Sequence, residues 1–311
     1  MDRMVRLARS AGLLTIIVLR LGLGASPPSE IPPELAGIHA SYQLKLGPFF
    51  TPPNRTSGLL AKARINGGPP LRLLLDSGAQ FLVLDRKAAM RSGCVGGADL
   101  DLIGAGLRLA KVVKQVRART VEIGDLTLHD TPLLITDQKL PDGIQGALPL
   151  SLFADFLIRL DIPAKTLDLL PYPPQPADTH GAVRAVSSNH LLFLKGTYNE
   201  AHEGFFLLDT GASYNAISWN AARRLKISPS MAPLIPVHAG TAEMDVPLLA
   251  DGVQLRIGDR EITAEPLVVI DLSISTRYHN LEVDGLIGYP ALAGSVLIVN
   301  YRDRLVLLNA R

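Results

Sequence analysis

Two aspartates end apolar runs, and each is followed by a small hydroxyl residue and a glycine. Asp76 closes RLLLDSG, and Asp209 closes FFLLDTG. Hydrolysis of a peptide bond needs a base that activates water and an acid that protonates the leaving nitrogen. Two carboxylates held side by side cannot both ionise cheaply, so they share one proton and can supply both roles. If Asp76 and Asp209 lie side by side in the fold, they are therefore candidates for the catalytic pair of an acid–base hydrolysis.

A plain alternative for each turn is an Asx turn at a strand end, in which the aspartate only caps the local backbone. An internal repeat argues against this alternative, because RLLLDSGAQFLVLD at 72–85 matches FFLLDTGASYNAIS at 205–218. The two aspartates thus occupy equivalent positions. Which of them acts as the base is left open by the sequence.

Two further blocks recur in the same order. VEIGDLTLHDTPLLITD in the first half corresponds to QLRIGDREITAEPLVVID in the second, and IQGALP at 144–149 corresponds to VDGLIG at 283–288. Matching blocks in one order indicate a duplicated unit. We therefore place a first lobe at 45–170, a Pro-rich linker at 171–181 and a second lobe at 182–311.

The elements that must position the aspartates are mostly strands. The 27 glycines and 23 prolines separate short apolar runs rich in Leu, Val and Ile, a pattern typical of strands joined by tight turns. Nine residues after each aspartate stands a helix-capping residue, Asp85 or Ser218, before a short helical run. The sequence therefore predicts a mainly β fold with short helices.

With an alanine after each motif glycine, Ala79 and Ala212, the duplicated turns resemble those of the aspartic peptidases. Each lobe is similar to a retropepsin unit, whereas the tandem arrangement is similar to the intramolecular dimer of pepsins and to exported bacterial aspartyl proteases. The resemblance begins near residue 58. It implies a two-lobed, pepsin-like or retropepsin-like acid protease fold and a peptide or protein substrate.

The resemblance also implies roles for the residues around the aspartates. The hydroxyls of Ser77 and Thr210 would hydrogen-bond across to the opposite loop and hold the pair in place. Gly78 and Gly211 would let the backbone pass close to the carboxylates and to substrate.

Three glycines are candidates for the tips of flap hairpins over the cleft, namely Gly104 and Gly106 in LIGAGLRLA and Gly240 in HAGTAEM. A plain turn is the simpler interpretation of each.

The sequences of the two lobes differ in the segment that the family places behind each catalytic loop. The family places two hydrophobic residues and a glycine there, which the second lobe has as LIG at 286–288, whereas the first lobe has ALP at 147–149. Proline removes a backbone donor and restricts φ, so we expect different packing behind Asp76. The first lobe also has no tyrosine between residues 94 and 126, and therefore no pepsin-like flap tyrosine.

The sequence lacks the motifs of serine hydrolases and of zinc peptidases. The chain has no G-x-S-x-G elbow, and its seven histidines form no H-E-x-x-H pair, so we expect neither a serine nucleophile nor a metal or cofactor. The formal net charge is +2 with scattered basic residues, which gives no electrostatic basis for nucleic-acid binding. Cys94 is the only cysteine, which excludes an intrachain disulfide.

The first 25 residues have the layout of a signal peptide, with three arginines among the first nine residues and an apolar run at 11–19. Arg20 interrupts that run, which leaves it short for a membrane span, although an uncleaved N-terminal anchor is the alternative. No later segment is apolar enough to span. We therefore expect export to the periplasm or the medium, and a flexible or strap-like segment at 26–44.

These features together predict an aspartic endopeptidase that acts as a monomer, because one chain carries both aspartates. The alternative is a catalytically inactive peptide-binding module that kept the cleft. The intact motif in both lobes favours the enzyme, because a pure binder gains nothing from two carboxylates that repel each other.

Overall fold

A computed structural model of the chain describes residues 12–14, 19–21, 40–51, 55–103, 111–138, 140–239 and 242–310. Strands dominate both halves. Those of the N-terminal half are β1 Gly12–Leu14, β2 Leu19–Leu21, β3 Tyr42–Lys45, β4 Gly47–Thr51, β5 Arg55–Ile65, β6 Leu71–Asp76, β7 Leu82–Asp85, β8 Ala98–Ile103, β9 Lys111–Ile123, β10 Leu126–Thr136, β11 Gly146–Pro149, β12 Leu157–Asp161 and β13 Thr166–Leu170.

The C-terminal half continues in the same style. Its strands are β14 Val183–Ser188, β15 Leu191–Tyr198, β16 His202–Asp209, β17 Asn215–Ser218, β18 Leu234–Ala239, β19 Ala242–Pro247, β20 Val253–Ile257, β21 Arg260–Ala264, β22 Leu267–Ile270, β23 Val283–Gly288, β24 Ser295–Asn300 and β25 Leu305–Ala310. The helices are short: α1 Arg86–Arg91, α2 Pro176–Thr179, α3 Trp219–Arg224, α4 Ser273–His279 and α5 Tyr289–Leu292, with 3-10 turns at Leu150–Phe153 and Pro229–Met231. The predicted mainly β fold is confirmed.

Each half contains the same arrangement of four strands. In the first half β6 runs parallel to β11, β11 antiparallel to β7, and β7 parallel to β10. In the second half β16, β23, β17 and β22 repeat this order and these directions. Because Asp76 and Asp209 are the last residues of β6 and β16, they stand at equivalent points of the two sheets.

A short helix follows the second strand of each arrangement, and a side chain caps it. Asp85 Oδ1 accepts from the Ala88 N–H at 2.6 Å before α1, and Ser218 Oγ accepts from the Ala221 N–H at 3.0 Å before α3. Each cap satisfies a backbone donor that has no partner within the helix. The helix starts lie where the sequence predicted them.

One sheet joins the two halves. β12 pairs antiparallel with β24, from Ile158 opposite Val299 to Asp161 opposite Val296. β13 and β3 extend this sheet on one side, and β25 and β14 extend it on the other. Residues 42–44, which the sequence placed in the strap-like segment, are part of β3 and are paired with β13. The halves are thus fixed relative to each other by backbone hydrogen bonds.

Each of the two short strands near the N-terminus pairs with a hairpin: β1 with one in the second half, and β2 with one in the first half. β1 runs parallel to β18, with residues 12–14 opposite 237–239, and β2 runs antiparallel to β8, with residues 19–21 opposite 103–101. β18 forms a hairpin with β19, and β8 forms one with β9. Within the described ranges, no helix is long and apolar enough to cross a membrane.

Candidate active site

Both motif aspartates are fully buried, and their own turns orient their carboxylates. The Gly78 N–H donates to Asp76 Oδ1 at 2.9 Å. In the second lobe, the N–H groups of Gly211 and Ala212 donate to Asp209 Oδ1 at 3.1 and 2.9 Å. Backbone donors of this kind favour the ionised carboxylate and hold it in one orientation.

The two turns approach each other closely. A Cβ atom on Gly211 would lie 2.5 Å from Asp76 Cγ, a distance that no side chain could tolerate. The backbone of the second lobe's turn therefore lies directly against the carboxyl group of the first lobe, and glycine is required there.

The residues after the aspartates link the two turns in a reciprocal way. The Ser77 N–H donates to Thr210 Oγ1, and the Thr210 N–H donates to Ser77 Oγ, both at 3.0 Å. Ser77 Oγ then donates to the Leu208 carbonyl at 2.8 Å, and Thr210 Oγ1 donates to the Leu75 carbonyl at 2.9 Å. The cross-loop hydrogen bonds that the resemblance implied are present, so the spacing of the two carboxyl groups depends on both lobes.

Burial and charge set the protonation of this pair. Burial, and after it the negative charge of Asp209, raises the pKa of Asp76 well above its usual range, while the backbone N–H groups of Gly78 and Ala79 act in the opposite direction. Because ionising one carboxyl group makes ionising the other harder, the two titrate as a unit that holds one shared proton over a range of pH. Such a unit contains one base and one acid.

The packing behind the two turns differs, as the sequence suggested. In the second lobe the Gly288 N–H donates to Asn215 Oδ1 at 2.9 Å. Leu82 stands six residues after Asp76, as Asn215 does after Asp209, and Pro149 pairs with Asp76 as Gly288 does with Asp209. The Pro149 nitrogen has no hydrogen to donate, and the Leu82 side chain has no acceptor, so the first lobe lacks both partners of the Asn215–Gly288 hydrogen bond. Pro149 therefore leaves no acceptor at position 82 without its donor.

The Asn215–Gly288 contact gives a prediction about stability. Replacing Asn215 with leucine should lower the free energy of unfolding by about 1–3 kcal/mol, because the buried Gly288 N–H would lose its acceptor. Urea denaturation measures the change. Asn220→Leu on the exposed face of α3 is the matched control and should change stability by less than about 0.5 kcal/mol. Equal losses in the two variants would contradict the role of Asn215.

The second lobe also contains an ionic cluster that sequence reasoning missed. Arg224 on α3 forms an ion pair with the buried Asp284 on β23, donates to Glu282 Oε1 at 2.8 Å, and donates to Tyr198 Oη at 2.9 Å. Burial raises the pKa of Asp284 to about 6, against the lowering effect of Arg224. Since β23 ends at Gly288, this cluster supports the strand that backs the Asp209 turn. The first lobe has the neutral Gln145 at the position of Asp284.

Some predicted site residues cannot be located. Gly104, Gly106 and Gly240 lie outside the described residues, and their role as flap tips stays a prediction. The described parts of the two hairpins share apolar clusters with residues that follow the two aspartates. Val113 of β9 lies in one apolar cluster with Phe81, and Val237 of β18 lies in another with Ala212. In the described ranges, no group of three or more His, Cys, Asp or Glu residues is arranged to hold a metal ion.

Comparisons with known proteins agree with this geometry. A family model described as aspartyl protease matches residues 61–148 and 194–291, one segment in each half. Curated protein sequences give no match. Among solved structures, the aspartic proteinase from Irpex lacteus superposes with a TM-score of 0.52 over 87% of this chain and 97% of its own, at 11% sequence identity. The two-lobed acid protease fold predicted from the sequence is confirmed.

Proposed function

Because the chain belongs to the aspartyl protease family, we propose that it is an aspartic endopeptidase in which Asp76 and Asp209 together hydrolyse peptide bonds. The observation that carries this proposal is the reciprocal bonding of Ser77 and Thr210, which sets two buried carboxyl groups in adjoining turns. A structure that only bound peptides would have no use for two repelling carboxylates at its centre.

The reaction follows from the shared proton. A water molecule between the two carboxyl groups gives a proton to the ionised one and attacks the carbonyl carbon of the substrate. The protonated carboxyl group donates to the carbonyl oxygen, which yields a tetrahedral intermediate. When the C–N bond then breaks, one carboxyl group protonates the leaving nitrogen, and a hydroxyl of the intermediate gives its proton to the other carboxylate as the carboxylic acid product forms. The pair therefore again holds one proton. Either aspartate can begin as the base, since the proton belongs to the pair.

Peptide recognition by strand addition is consistent with the two hairpins. β18 already pairs with the chain's own residues 12–14, and β8 pairs with residues 19–21, so both edges accept an extended backbone. We propose that substrates bind in the same extended form, held by main-chain hydrogen bonds.

Cleavage of a mixed peptide library by residues 26–311 tests the proposal, with mass spectrometry to identify the cut bonds. Internal cleavage is the expected result. Peptide binding without any cleavage, measured by calorimetry on the same library, would instead indicate the inactive binding module.

The activity should extend into mildly acidic or near-neutral pH. Ala79 and Ala212 have no hydroxyl to stabilise an ionised carboxylate, and burial raises the pKa of Asp76. Since activity needs the shared proton, a raised pKa moves the loss of activity to higher pH. The pH dependence of kcat/KM measures this limb. A profile confined to strongly acidic conditions would contradict the prediction.

We also propose that residues 1–25 direct export and that the exported chain acts as a monomer. The layout of the leader supports the first part, and the presence of both aspartates in one chain supports the second. Fractionation of cells and light scattering on the purified chain test the two parts separately.

A further inference from the structure

The start of β5 in the first lobe reaches the catalytic turn of the second lobe. Arg55 Nη2 donates to the Ser213 carbonyl at 3.1 Å, and Ser213 Oγ donates back to the Ser57 carbonyl at 3.3 Å. The guanidinium carbon of Arg55 also lies 5.4 Å from the centre of the Tyr214 ring, within the range of a cation–π contact. Arg55 thus holds two consecutive residues of the other lobe.

These two residues continue directly from the Asp209 turn. Ala212, which precedes them, donates its N–H to Asp209 Oδ1 at 2.9 Å and accepts from the Tyr289 N–H at 2.8 Å. The Tyr214 carbonyl is so close to Gly288 that a Cβ on that glycine would lie 2.2 Å from it. A shift of Ser213 and Tyr214 would therefore also move the neighbouring Ala212 N–H, which donates to Asp209.

The corresponding segment of the first lobe is held differently. Gln80 and Phe81 stand four and five residues after Asp76, where Ser213 and Tyr214 stand after Asp209. Gln80 is buried, and among the described residues its Nε2 has no hydrogen-bond partner. Ser213 Oγ thus donates to the Ser57 carbonyl of the other lobe, whereas the Gln80 side-chain amide donates to no group in the described part of the chain.

We propose that Arg55 is a positioning residue for Asp209, holding the second lobe's catalytic turn from the first lobe. Arg55 acts through Ser213 and Tyr214 and need not touch the substrate. This inference rests on the proposed function for its kinetic consequence, but the placement of the carboxyl groups can be measured without any substrate. Small errors in the placement of reacting groups reduce the rate of the chemical step more than they reduce binding.

The experiment compares Arg55→Met with Arg64→Met. Methionine keeps much of the apolar stem and removes the donors. Arg64 is the matched control, because it is an exposed residue of the same strand that donates to the Gly68 carbonyl of its own lobe at 3.0 Å. We expect kcat to fall on the order of 10- to 100-fold in Arg55→Met with KM changed less than about twofold, and no change in Arg64→Met. Arg55→Lys should recover part of the rate, because it keeps the positive charge and an ammonium group that can donate.

A second readout uses the resting protein. Carboxyl NMR on the 13C-labelled chain follows the titration of the pair in both variants. If Asp209 moves away from Asp76, its charge raises the pKa of Asp76 less, so the upper pKa of the pair should be lower in Arg55→Met than in Arg64→Met. A variant that was merely less stable would melt earlier but would keep the wild-type titration.

The outcomes separate the two proposals. If the wild type cleaves no peptide, the proposed function fails, and the titration still decides the role of Arg55. Unchanged titration in Arg55→Met would overturn the positioning role. A raised KM with unchanged kcat would also overturn it, since Arg55 would then bind the substrate instead.

Discussion

Replacing either Asp76 or Asp209 with asparagine should reduce peptide cleavage at least about a hundred-fold while the protein stays folded. Asparagine keeps an oxygen that can accept from the turn, such as the Gly78 N–H that now binds Asp76 Oδ1 at 2.9 Å. It cannot take up or release the proton that the pair shares. Each substitution therefore removes the acid or the base and leaves the local hydrogen bonds in place.

The folded state gives an internal check on this prediction. Each variant buries one carboxyl group fewer, so its melting temperature at neutral pH should equal or exceed that of the wild type. Asp137→Asn is the matched control, because Asp137 is an exposed residue paired with Arg86 on the surface, and such pairs contribute little. Retention of more than about a tenth of the wild-type rate in either active-site variant would contradict a shared-proton mechanism.

At neutral pH, replacing Arg224 with methionine should lower the free energy of unfolding by about 3 kcal/mol, the lower end of the cost of breaking a buried ion pair, because the Arg224 side chain is itself 34% exposed. Asp284 is only 3% exposed and would lose its partner. Tyr198 and Glu282 would lose their donor in the same step. Chemical denaturation measures the loss. Arg256→Met removes an exposed pair with Glu261 and should cost about 1 kcal/mol or less.

The effect of Arg224→Met should grow with pH. The pKa of Asp284 is raised to about 6 in the folded protein, against about 3.9 in an unfolded chain. The folded state thus holds this proton more tightly, and the stability linked to it is fully present below about pH 4 and is lost as the pH rises through about 6. Without Arg224 the pKa rises further, so the variant should lose additional stability above pH 6.

A double-mutant cycle separates the buried charge from other losses. In an Asp284→Asn background, Arg224→Met should cost much less than in the wild type, because no buried carboxylate remains unpaired. An equal cost in both backgrounds would show that the loss comes from the packing of the Arg224 stem and from its hydrogen bonds to Tyr198 and Glu282, not from the Asp284 charge.

The sequence alone determined the features that depend on neighbouring residues. Asp85 and Ser218 cap helices through donors three residues away, and the apolar runs before each aspartate form the strands that bury it. The repeated turns also carry the resemblance to the aspartic peptidases. Because the two turns stand at equivalent positions of the repeat, they predict two equivalent strands. In these cases the residue and the groups that it contacts are close together in the sequence or lie within the same repeat unit.

Tertiary structure decided the contacts between residues that are remote in sequence. Nothing near Arg55 indicates that it donates to Ser213, because the two meet only where the lobes pack together. Pro149 departs from the motif of the second lobe, but the absence of an acceptor at Leu82 shows why the first lobe accommodates it. These partners are set by how two lobes pack and pair their strands, and a pattern along one chain does not contain that geometry.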